Sequence, residues 1–329
     1  PQAIWTHAHF DRYREVSAQV MAILADETPR VERVSIDEAF IDITPGRFAP
    51  EDPLLVARRI SDRVAALGVT CSIGVGCNKT VAKIASERDK PFGLTIVRPG
   101  TEQRFLAALP VSAMSGIGRT AEERLRRMRI YTLGELSRAP ESTLASIFGV
   151  NGERMRQRAL GLEVSEVTSL DEGREVKSVS NERTFAKDLT ERGDIEAAIA
   201  LLGESVGRRL RRQGLTGATV TLKLKYSYGS GRSAQRRLPH PTDDENIFVA
   251  VALELLDNIW QEGMHVRLAG IGMSDFDHQG GIQTDLFCEI DDRGAQSSDR
   301  RDLSVAIDAV RDKFGDTALS FGRQSRFND

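Results

Sequence analysis

The sequence has few cysteines and no long hydrophobic run. Only three of its 329 residues are cysteine, and none lies in the C-x-x-C spacing of zinc or redox motifs. This low number predicts reduced thiols in a cytoplasmic protein. The five histidines show no metal-ligand spacing. No apolar run approaches the ~20 residues of a membrane span, and the first residues lack the character of a signal peptide. These absences argue against a disulfide-rich, zinc-binding or membrane-spanning protein.

The composition instead fits a globular protein of two or three domains, since 40% of the residues are hydrophobic and 28% are charged. The net charge of −3 conceals an uneven distribution. Residues 205–239 hold nine Lys and Arg and no acid, whereas residues 240–329 hold eight against eighteen Asp and Glu. Such a basic stretch can attract phosphates in a salt-dependent manner. A solvated helix face is the alternative interpretation.

Two adjacent carboxylates lie between strand-forming segments near the N-terminus. Segments 31–35 and 40–44 predict a hairpin with Asp37 and Glu38 near its tip. Two unit charges about 4 Å apart repel by roughly 4 kcal/mol at an effective dielectric of roughly 20. The pair therefore needs a raised pKa or a cation. Mg²⁺ is held by one or two carboxylates together with substrate phosphates, so a nucleotide site is one interpretation and an acidic turn in solvent is the other.

A strand-to-helix turn follows farther along the chain. Residues 69–75 predict a short buried strand with small residues, and Asn78 is a good N-cap for the next helix. This helix is expected to run to about Asp89 and to stop before Pro91, because the residue preceding a proline disfavours helical backbone. Lys90 is thereby placed at a helix-to-strand turn, from which it can reach a phosphate.

Together these motifs resemble the palm of Y-family translesion DNA polymerases, most of all the bacterial DNA polymerase IV (DinB) type. They are S-x-D-E at 35–38, S-I-G-V-G-x-N-K at 72–79 and K-P-x-G at 90–93, in the order and spacing of the family. The resemblance implies a palm over 1–102 in which Asp37 and Glu38 are catalytic metal ligands and Lys90 binds the dNTP. It also implies a Mg²⁺ cofactor, with two ions in the complete site, and primer-template DNA as partner.

Residues 103–162 are helical and rich in arginine, as in the thumb of that family. The segment Gly116-Ile117-Gly118-Arg119 between two short helices resembles a helix-hairpin-helix motif, and a looser copy begins at Phe148. In such a motif backbone amides point at a DNA phosphate, and glycine is needed where a Cβ would block the approach. The three residues Gly116, Gly118 and Arg119 are therefore predicted to bind DNA. The alternative is an ordinary glycine-containing turn between helices.

Residues 163–173 are polar and acidic and predict a linker. The segment 174–277 predicts the element order β-α-β-β-α-β of a ferredoxin-like domain, which resembles the little finger of Y-family polymerases. Strand amides and nearby cations are expected to hold the template backbone without reading its sequence. The DNA-binding residues predicted there are Ser178, Arg183, Lys223 and Arg236.

The tail, residues 278–329, contains a short peptide that resembles the motif by which bacterial polymerases dock on the sliding clamp. Leu286 and Phe287 would fill an apolar pocket and Gln283 would make polar contacts. The alternative is that the Leu-Phe pair packs on the little finger. The remainder of the tail predicts one short helix and a frayed end.

The fold expected from the sequence is thus a multidomain α/β and α+β protein with a palm remnant, an all-helical thumb and a ferredoxin-like little finger. The first palm strand and the fingers of the family have no counterpart in the sequence, so we expect an inactive or impaired fragment of an error-prone polymerase that works as a monomer. Two other hypotheses remain. One is a non-catalytic adaptor that binds DNA and the clamp, and the other is a nucleotidyl transferase or cyclase built on a related palm.

Overall fold

The computed structural model describes residues 3–4, 6–47, 51–169, 175–276, 293–315 and 318–319, with the backbone alone for 293–302. The chain divides into two compact units, Pro1–Gly173 and Arg174–Asp329. Each unit has its own apolar core, and each is described by itself.

The first part of unit 1 combines helices with two small sheets. Helices α1 (Phe10–Glu27), α2 (Pro53–Ala66) and α3 (Lys79–Arg88) accompany strands β1 (Val31–Arg33), β2 (Ala39–Ile41), β3 (Ile73–Val75) and β4 (Leu94–Ile96). Strands β1 and β2 pair antiparallel, and β3 and β4 pair parallel. Buried apolar side chains on the facing sides of α1 and α2 form the core here, namely Ile23, Val56, Ile60 and Val64.

The predicted strand over 69–75 is much shorter in the structure. Only Ile73–Val75 is a strand, because its partner β4 offers a register of three residues, from Ile73 opposite Leu94 to Val75 opposite Ile96. The preceding Val69 and Cys71 instead pack against the core between α1 and α2. Their apolar character therefore reflects burial and not strand pairing.

The second part of unit 1 is helical, as predicted for residues 103–162. It contains α4 (Glu102–Ala107), α5 (Arg119–Arg127), α6 (Leu133–Arg138), α7 (Glu141–Phe148) and α8 (Gly152–Leu160). A capping box fixes the start of α6, since Thr132 accepts a hydrogen bond from the backbone of Glu135 and the Glu135 side chain accepts one from Thr132 in return. The core of this part also includes Val81, Ile84 and Ala85 of α3. Helix α3 therefore belongs to both parts of unit 1.

Unit 2 contains a four-stranded antiparallel sheet whose elements follow the order β-α-β-β-α-β. They are β5 (Ser178–Leu189), α9 (Arg192–Gln213), β6 (Gly217–Tyr226), β7 (Gly231–Thr242), α10 (Glu245–Ile259) and β8 (Val266–Phe276). The strands lie in the order β5-β8-β6-β7, so the fourth and second strands are central. A ferredoxin-like sheet has its first and third strands in the centre, and that part of the prediction is wrong. Periodicity gives the order of elements along the chain but not which strands become neighbours.

The two faces of this sheet differ in chemistry. Val220, Leu222 and Leu224 of β6 alternate with Thr219, Thr221 and Lys223, and only the first three join the apolar core under α9 and α10. Among the described residues of unit 2, no element covers the other face. We call it the open face of the sheet.

The tail holds a longer helix than predicted. Helix α11 (Arg293–Phe314) has 22 residues in place of the short helix expected from the sequence. Its buried side chains Ser304, Asp308 and Arg311 are polar, and they contact α9 and the start of α10 through ion pairs and hydrogen bonds. Sequence periodicity detects apolar faces, so a helix that docks through polar side chains gives a weak signal.

No helix among the described residues is long and apolar enough to cross a membrane.

Candidate active site and nucleic-acid interface

The acidic hairpin has the geometry predicted from the sequence. Val31 lies opposite Ile41 and Arg33 opposite Ala39. The turn is closed by the backbone amides of Val34 and Ser35, which donate to the Glu38 carbonyl at 2.9 and 3.1 Å. Asp37 thus lies at the tip of the hairpin.

A local hydrogen bond favours the ionised form of Asp37. The Ser35 hydroxyl donates to Asp37 Oδ1 at 2.5 Å, and this bond is the main reason that the pKa of Asp37 is lowered. Behind the tip, the buried Ser17 of α1 donates to the carbonyl of Ile36. The hairpin tip is thereby attached to a helix of the core.

Helix α3 faces the hairpin with a lysine that sequence reasoning missed. Lys83 Nζ donates to Glu38 Oε2 at 2.9 Å and to Glu87 Oε1 at 3.0 Å. Burial disfavours the charged form of Lys83, but these two carboxylates outweigh it and raise its pKa. Lys83 lies one turn before Glu87 on α3, so the i,i+4 spacing of these two residues was the signal that could have identified it.

Lys90, the predicted triphosphate ligand, contacts a carboxylate in this structure. Its Nζ donates to Glu87 Oε1 at 2.8 Å, and this bond is the main cause of the lowered pKa of Glu87. Glu38, Lys83, Glu87 and Lys90 therefore form one alternating row of charges. Lys90 lies at the end of that row, and its side chain is about half exposed at 54%.

The donor atoms at the hairpin are suited to a hard cation. Asp37 and Glu38 supply carboxylate oxygens, the ligand type that Mg²⁺ prefers. Among the described residues no cluster of three or more His, Cys, Asp or Glu could hold a metal. Mg²⁺ is commonly held by one or two carboxylates together with phosphate oxygens of a substrate.

The two glycines of the predicted helix-hairpin-helix turn differ in backbone conformation. Gly116 has a φ of +95°, which L residues with a side chain rarely adopt. Gly118 has an ordinary backbone conformation as N-cap of α5, and a Cβ there would meet no atom within 4 Å. The space beside Gly118 and the first amides of α5 is open, while Arg119 has a side chain 92% exposed.

The looser copy also has a glycine with positive φ at its turn. Gly149 has a φ of +58° between α7 and the 3-10 turn that precedes α8. The following Val150 is 100% exposed.

In unit 2 the predicted DNA-binding residues divide between the two faces of the sheet. Ser178 and Lys223 lie on the open face, where Lys223 Nζ contacts Glu182 Oε1 at 2.8 Å. Arg183 is paired in register with the buried Ala269, and Arg236 with the buried Val220, so these two lie on the helix-covered side. Arg236 moreover pairs with Glu254 of α10. The four residues therefore do not form one surface.

Sequence reasoning also missed residues of the open face. The register places Thr221, Lys225, Gln235 and Arg237 on the same side as Lys223. Strict alternation along β6 and β7 was the signal that could have identified them.

The arginines of α9 are engaged within the protein. Arg208 contacts Asp312 at 2.7 Å, and Arg211 contacts Asp308 at 2.7 Å and Glu245 at 2.5 Å. Their side chains are 12% and 8% exposed, so these two arginines form neither a phosphate-binding face nor a solvated one, whereas the neighbouring Arg212 is 54% exposed. Apart from the arginines of α9, the Lys and Arg residues of the basic stretch lie on strands β6 and β7.

Gln283, Leu286 and Phe287, which the sequence predicts to dock on the clamp, lie outside the described residues.

Comparison with protein families shows two matches along the chain. Residues 1–87 match the impB/mucB/samB family, and residues 176–286 match the impB/mucB/samB family C-terminal domain.

Curated relatives are similar over most of the chain. The DNA polymerase IV of Moorella thermoacetica is 35% identical over 97% of this chain and 78% of that protein. The DNA polymerase IV of Dehalococcoides mccartyi strain CBDB1 is 33% identical over 100% of this chain and 82% of that protein. The Lactococcus lactis subsp. cremoris MG1363 protein of the same name is 35% identical over 84% and 76%. The chain belongs to the Y-family DNA polymerases, and within them to the DinB, or DNA polymerase IV, type.

Solved structures support the fold. A Y-family DNA polymerase chimera of Dbh and Dpo4 superposes with a TM-score of 0.71 at 23% identity and covers 84% of this chain and 79% of that chain. The post-insertion binary complex of Dbh DNA polymerase gives a TM-score of 0.54 at 22% identity, with 84% and 80% covered.

Proposed function

We propose that this chain carries the catalytic hairpin, thumb and little finger of an error-prone, template-directed DNA polymerase that extends primers past damaged bases. The observation that carries the proposal is the ionised Asp37 beside Glu38, facing the cations of α3, in a segment matched by the family model. In the proposed reaction the primer 3′-hydroxyl loses its proton and its oxygen bonds to the α-phosphorus of an incoming dNTP. The bond between that phosphorus and the oxygen bridging to the β-phosphate breaks. Pyrophosphate leaves.

In this proposal the carboxylates hold Mg²⁺ and the cations hold phosphate. Asp37 is the metal ligand at the hairpin tip, and Glu38 is a second ligand beside the primer terminus. When bound, Mg²⁺ would neutralise charge on the transferring phosphoryl group. Lys90 and Lys83 would then exchange their carboxylate partners for phosphate oxygens of the dNTP.

The DNA is gripped by contacts that do not read its sequence. The hairpin at Gly116 and Gly118 would offer backbone amides and Arg119 to a phosphate of the duplex, as a helix-hairpin-helix thumb does. The open face of the sheet would hold the template strand through Ser178, Lys223 and the neighbouring cations Lys225 and Arg237.

The roles of Asp37 and Glu38 are tested by substitution. The chain is joined behind the N-terminal segment of the Moorella thermoacetica relative, and Mg²⁺-dependent primer extension is measured. Asp37→Ala is expected to reduce extension at least ~10³-fold while DNA binding is unchanged, because metal ligation supplies several kcal/mol of transition-state stabilisation.

The matched control is Asp42→Ala. Asp42 is a carboxylate of the same hairpin, but its side chain accepts hydrogen bonds from Thr44. Normal extension by the Asp37 variant would contradict the proposed role.

The clamp peptide is a separate proposal. Changing Leu286 and Phe287 to Ala should abolish retention on an immobilised bacterial sliding clamp without changing intrinsic primer extension, because two apolar anchors would carry most of the docking energy. Unchanged retention would contradict this proposal.

The alternative function is a non-catalytic adaptor that binds DNA and the clamp. The observation in its favour is that the described residues hold no cluster of three metal-ligating side chains. The adaptor hypothesis predicts DNA and clamp binding without extension, even in the joined protein.

A further inference from the structure

Arg158 in the last turn of α8 bridges the two parts of unit 1. Its Nε donates to the hydroxyl of Thr80 at 2.8 Å, and its terminal nitrogen Nη1 donates to the backbone carbonyl of Ser115 at 2.8 Å. Thr80 belongs to the first turn of α3. Ser115 directly precedes the turn that contains Gly116 and Gly118, which we call the glycine hairpin. The Arg158 side chain is 16% exposed.

Thr80 and Glu163 hold the guanidinium from the other side. The Thr80 hydroxyl donates to Glu163 Oε2 at 2.5 Å while it accepts from Arg158. Glu163 has a side chain 8% exposed and lies 3.6 Å from Arg158. Asn78, which caps α3, also donates to the carbonyl of Gly161 at 2.7 Å. The end of α8 is thus attached to the start of α3 by side chains with little exposure to water.

An arginine is required for this geometry. Two N–H groups of one planar guanidinium point in different directions at the same time, and a lysine ammonium on a flexible stem cannot reproduce that fork. Helix α3 carries Lys83 one turn beyond Thr80, and Lys83 contacts Glu38 of the acidic hairpin. Arg158 therefore connects the glycine hairpin to the same helix that faces the candidate catalytic carboxylates.

We infer that Arg158 is a positioning residue for nucleic-acid binding, which fixes the carbonyl of Ser115 and with it the hairpin at Gly116 and Gly118 relative to α3. The inference rests on the proposed function, since it takes the hairpin as a contact to a DNA phosphate. We do not place Arg158 in contact with the DNA, because its side chain is only 16% exposed and its Nε and Nη1 are directed at Thr80 and Ser115.

This role predicts a particular pattern of binding. Loss of Arg158 should weaken DNA binding by the same factor at every salt concentration, since no cation is removed from the interface. A direct phosphate contact would instead reduce the slope of log K against log salt by roughly one.

The test uses the full 329-residue chain and a fluorescently labelled primer-template duplex, with binding measured by anisotropy at four salt concentrations. Arg158→Met is expected to bind roughly tenfold more weakly with an unchanged salt slope, because hydrogen bonds to a charged group are lost. The control is Arg156→Met on the same helix, where Arg156 pairs with Glu153 at the surface. It should retain the affinity of the unaltered chain to within about twofold.

Two further comparisons separate positioning from general destabilisation. Gly118→Ala should weaken binding on its own, and the double variant with Arg158→Met should be no weaker than the stronger single effect, because both act through one contact. If Arg158→Met does not fold, Thr80→Val and Thr80→Ser replace it. The valine variant loses the hydroxyl and should bind more weakly, whereas the serine variant keeps it and should bind normally.

Additive effects of Arg158→Met and Gly118→Ala, or a reduced salt slope in Arg158→Met, would overturn the inference. Equal binding by Thr80→Val and Thr80→Ser would overturn it as well. If the unaltered chain does not bind primed DNA at all, the proposed function fails and the inference fails with it.

Discussion

Gly116 and Gly118 are separated by one residue, but an added methyl group has a different consequence at each. At Gly116 the φ of +95° makes any L side chain strained, whereas at Gly118 the space is open and the backbone ordinary. We predict that Gly116→Ala lowers the free energy of unfolding by about 1–2 kcal/mol, the cost of a side chain in left-handed backbone. Gly118→Ala should cost less, about 0.5 kcal/mol, because alanine caps a helix less well than glycine does.

At Gly118 the added methyl group should affect DNA binding more than it affects stability. A methyl group there would occupy the space beside the first amides of α5 and weaken binding of a phosphate, although stability is retained. Urea unfolding and anisotropy on both variants measure the two effects. Full DNA affinity in a stable Gly118→Ala protein would show that this turn only connects two helices.

Glu27 gives unit 1 a pH-dependent contribution to stability. Its side chain is 6% exposed and accepts hydrogen bonds from Arg59 at 2.6 Å and Arg63 at 3.4 Å, and the bond from Arg59 is the main cause of its lowered pKa. A carboxylate with a lowered pKa stabilises the folded state above its unfolded value of 4.5. That contribution is lost as the pH falls from 4.5 through the lower folded pKa.

We therefore predict that Glu27→Gln lowers the free energy of unfolding at pH 7. The free energy of unfolding of this variant should also decrease less between neutral pH and pH 3 than that of the unaltered protein. Urea unfolding at a series of pH values measures both. The control is Glu15→Gln, since Glu15 pairs with Arg12 on the exposed side of α1. Identical pH profiles for Glu27→Gln and the unaltered protein would contradict the prediction.

At this scale the sequence predicted the position of the acidic hairpin better than the contacts of its side chains. Asp37, Glu38 and Lys90 were proposed as site residues from adjacent motifs. Lys83 was missed because its contact with Glu38 joins positions 45 residues apart. The side of the sheet on which Arg183 and Arg236 lie follows from strand register, which depends on the partner strand.

At the scale of elements, charged side chains hold α11 to α9 and α10 within unit 2. Arg211 lies between Glu245 and Asp308, with side-chain exposures of 8%, 14% and 13%. Burial raises the pKa of Glu245 even though Arg211 opposes this. Removal of the arginine would leave two buried carboxylates without their cation.

We predict that Arg211→Met lowers the free energy of unfolding of unit 2 by about 3–5 kcal/mol, the usual cost of breaking a buried pair. The neighbouring Arg212 also contacts Asp312, but its side chain is 54% exposed, so Arg212→Met should cost less than about 1 kcal/mol. Fluorescence of Trp260 during urea unfolding, in a Trp5→Phe background, reports on this unit. Equal stability of the two variants would contradict the prediction.

Cations on the open face of the sheet should make DNA binding depend on the salt concentration. Arg237 lies on this face and Arg236 on the opposite one. Arg237→Ala should weaken binding of primed DNA and reduce the salt slope by roughly one, because one phosphate contact is lost. Arg236→Ala should leave the slope unchanged. The reverse result would place the nucleic acid on the helix-covered side.

The order of elements could be predicted from periodicity, caps and turn residues, and most bounds differ from the structure by only a few residues. Asn78, for example, caps α3 as expected, with its side chain accepting from the amide of Val81. The sheet order β5-β8-β6-β7 and the length of α11 could not be predicted. Both depend on contacts between distant segments, which a local pattern does not contain.

At the scale of the whole molecule, the uneven charge has a structural explanation. Acidic side chains of α11 neutralise arginines of α9, while the cations of β6 and β7 remain at the sheet. The net charge of −3 is therefore compatible with a chain that binds nucleic acid. Family membership was predicted from three short motifs near the N-terminus and is confirmed by relatives similar over most of the chain.

The central claim is that the hairpin of Asp37 and Glu38 is the metal-binding part of a polymerase site. Its most direct test is Mg²⁺-dependent primer extension by the chain joined to the N-terminal segment of a relative, compared with the Asp37→Ala and Asp42→Ala variants. We expect extension by the joined protein and by Asp42→Ala, and none by Asp37→Ala. DNA binding without extension by the joined protein, or extension that survives Asp37→Ala, would contradict it.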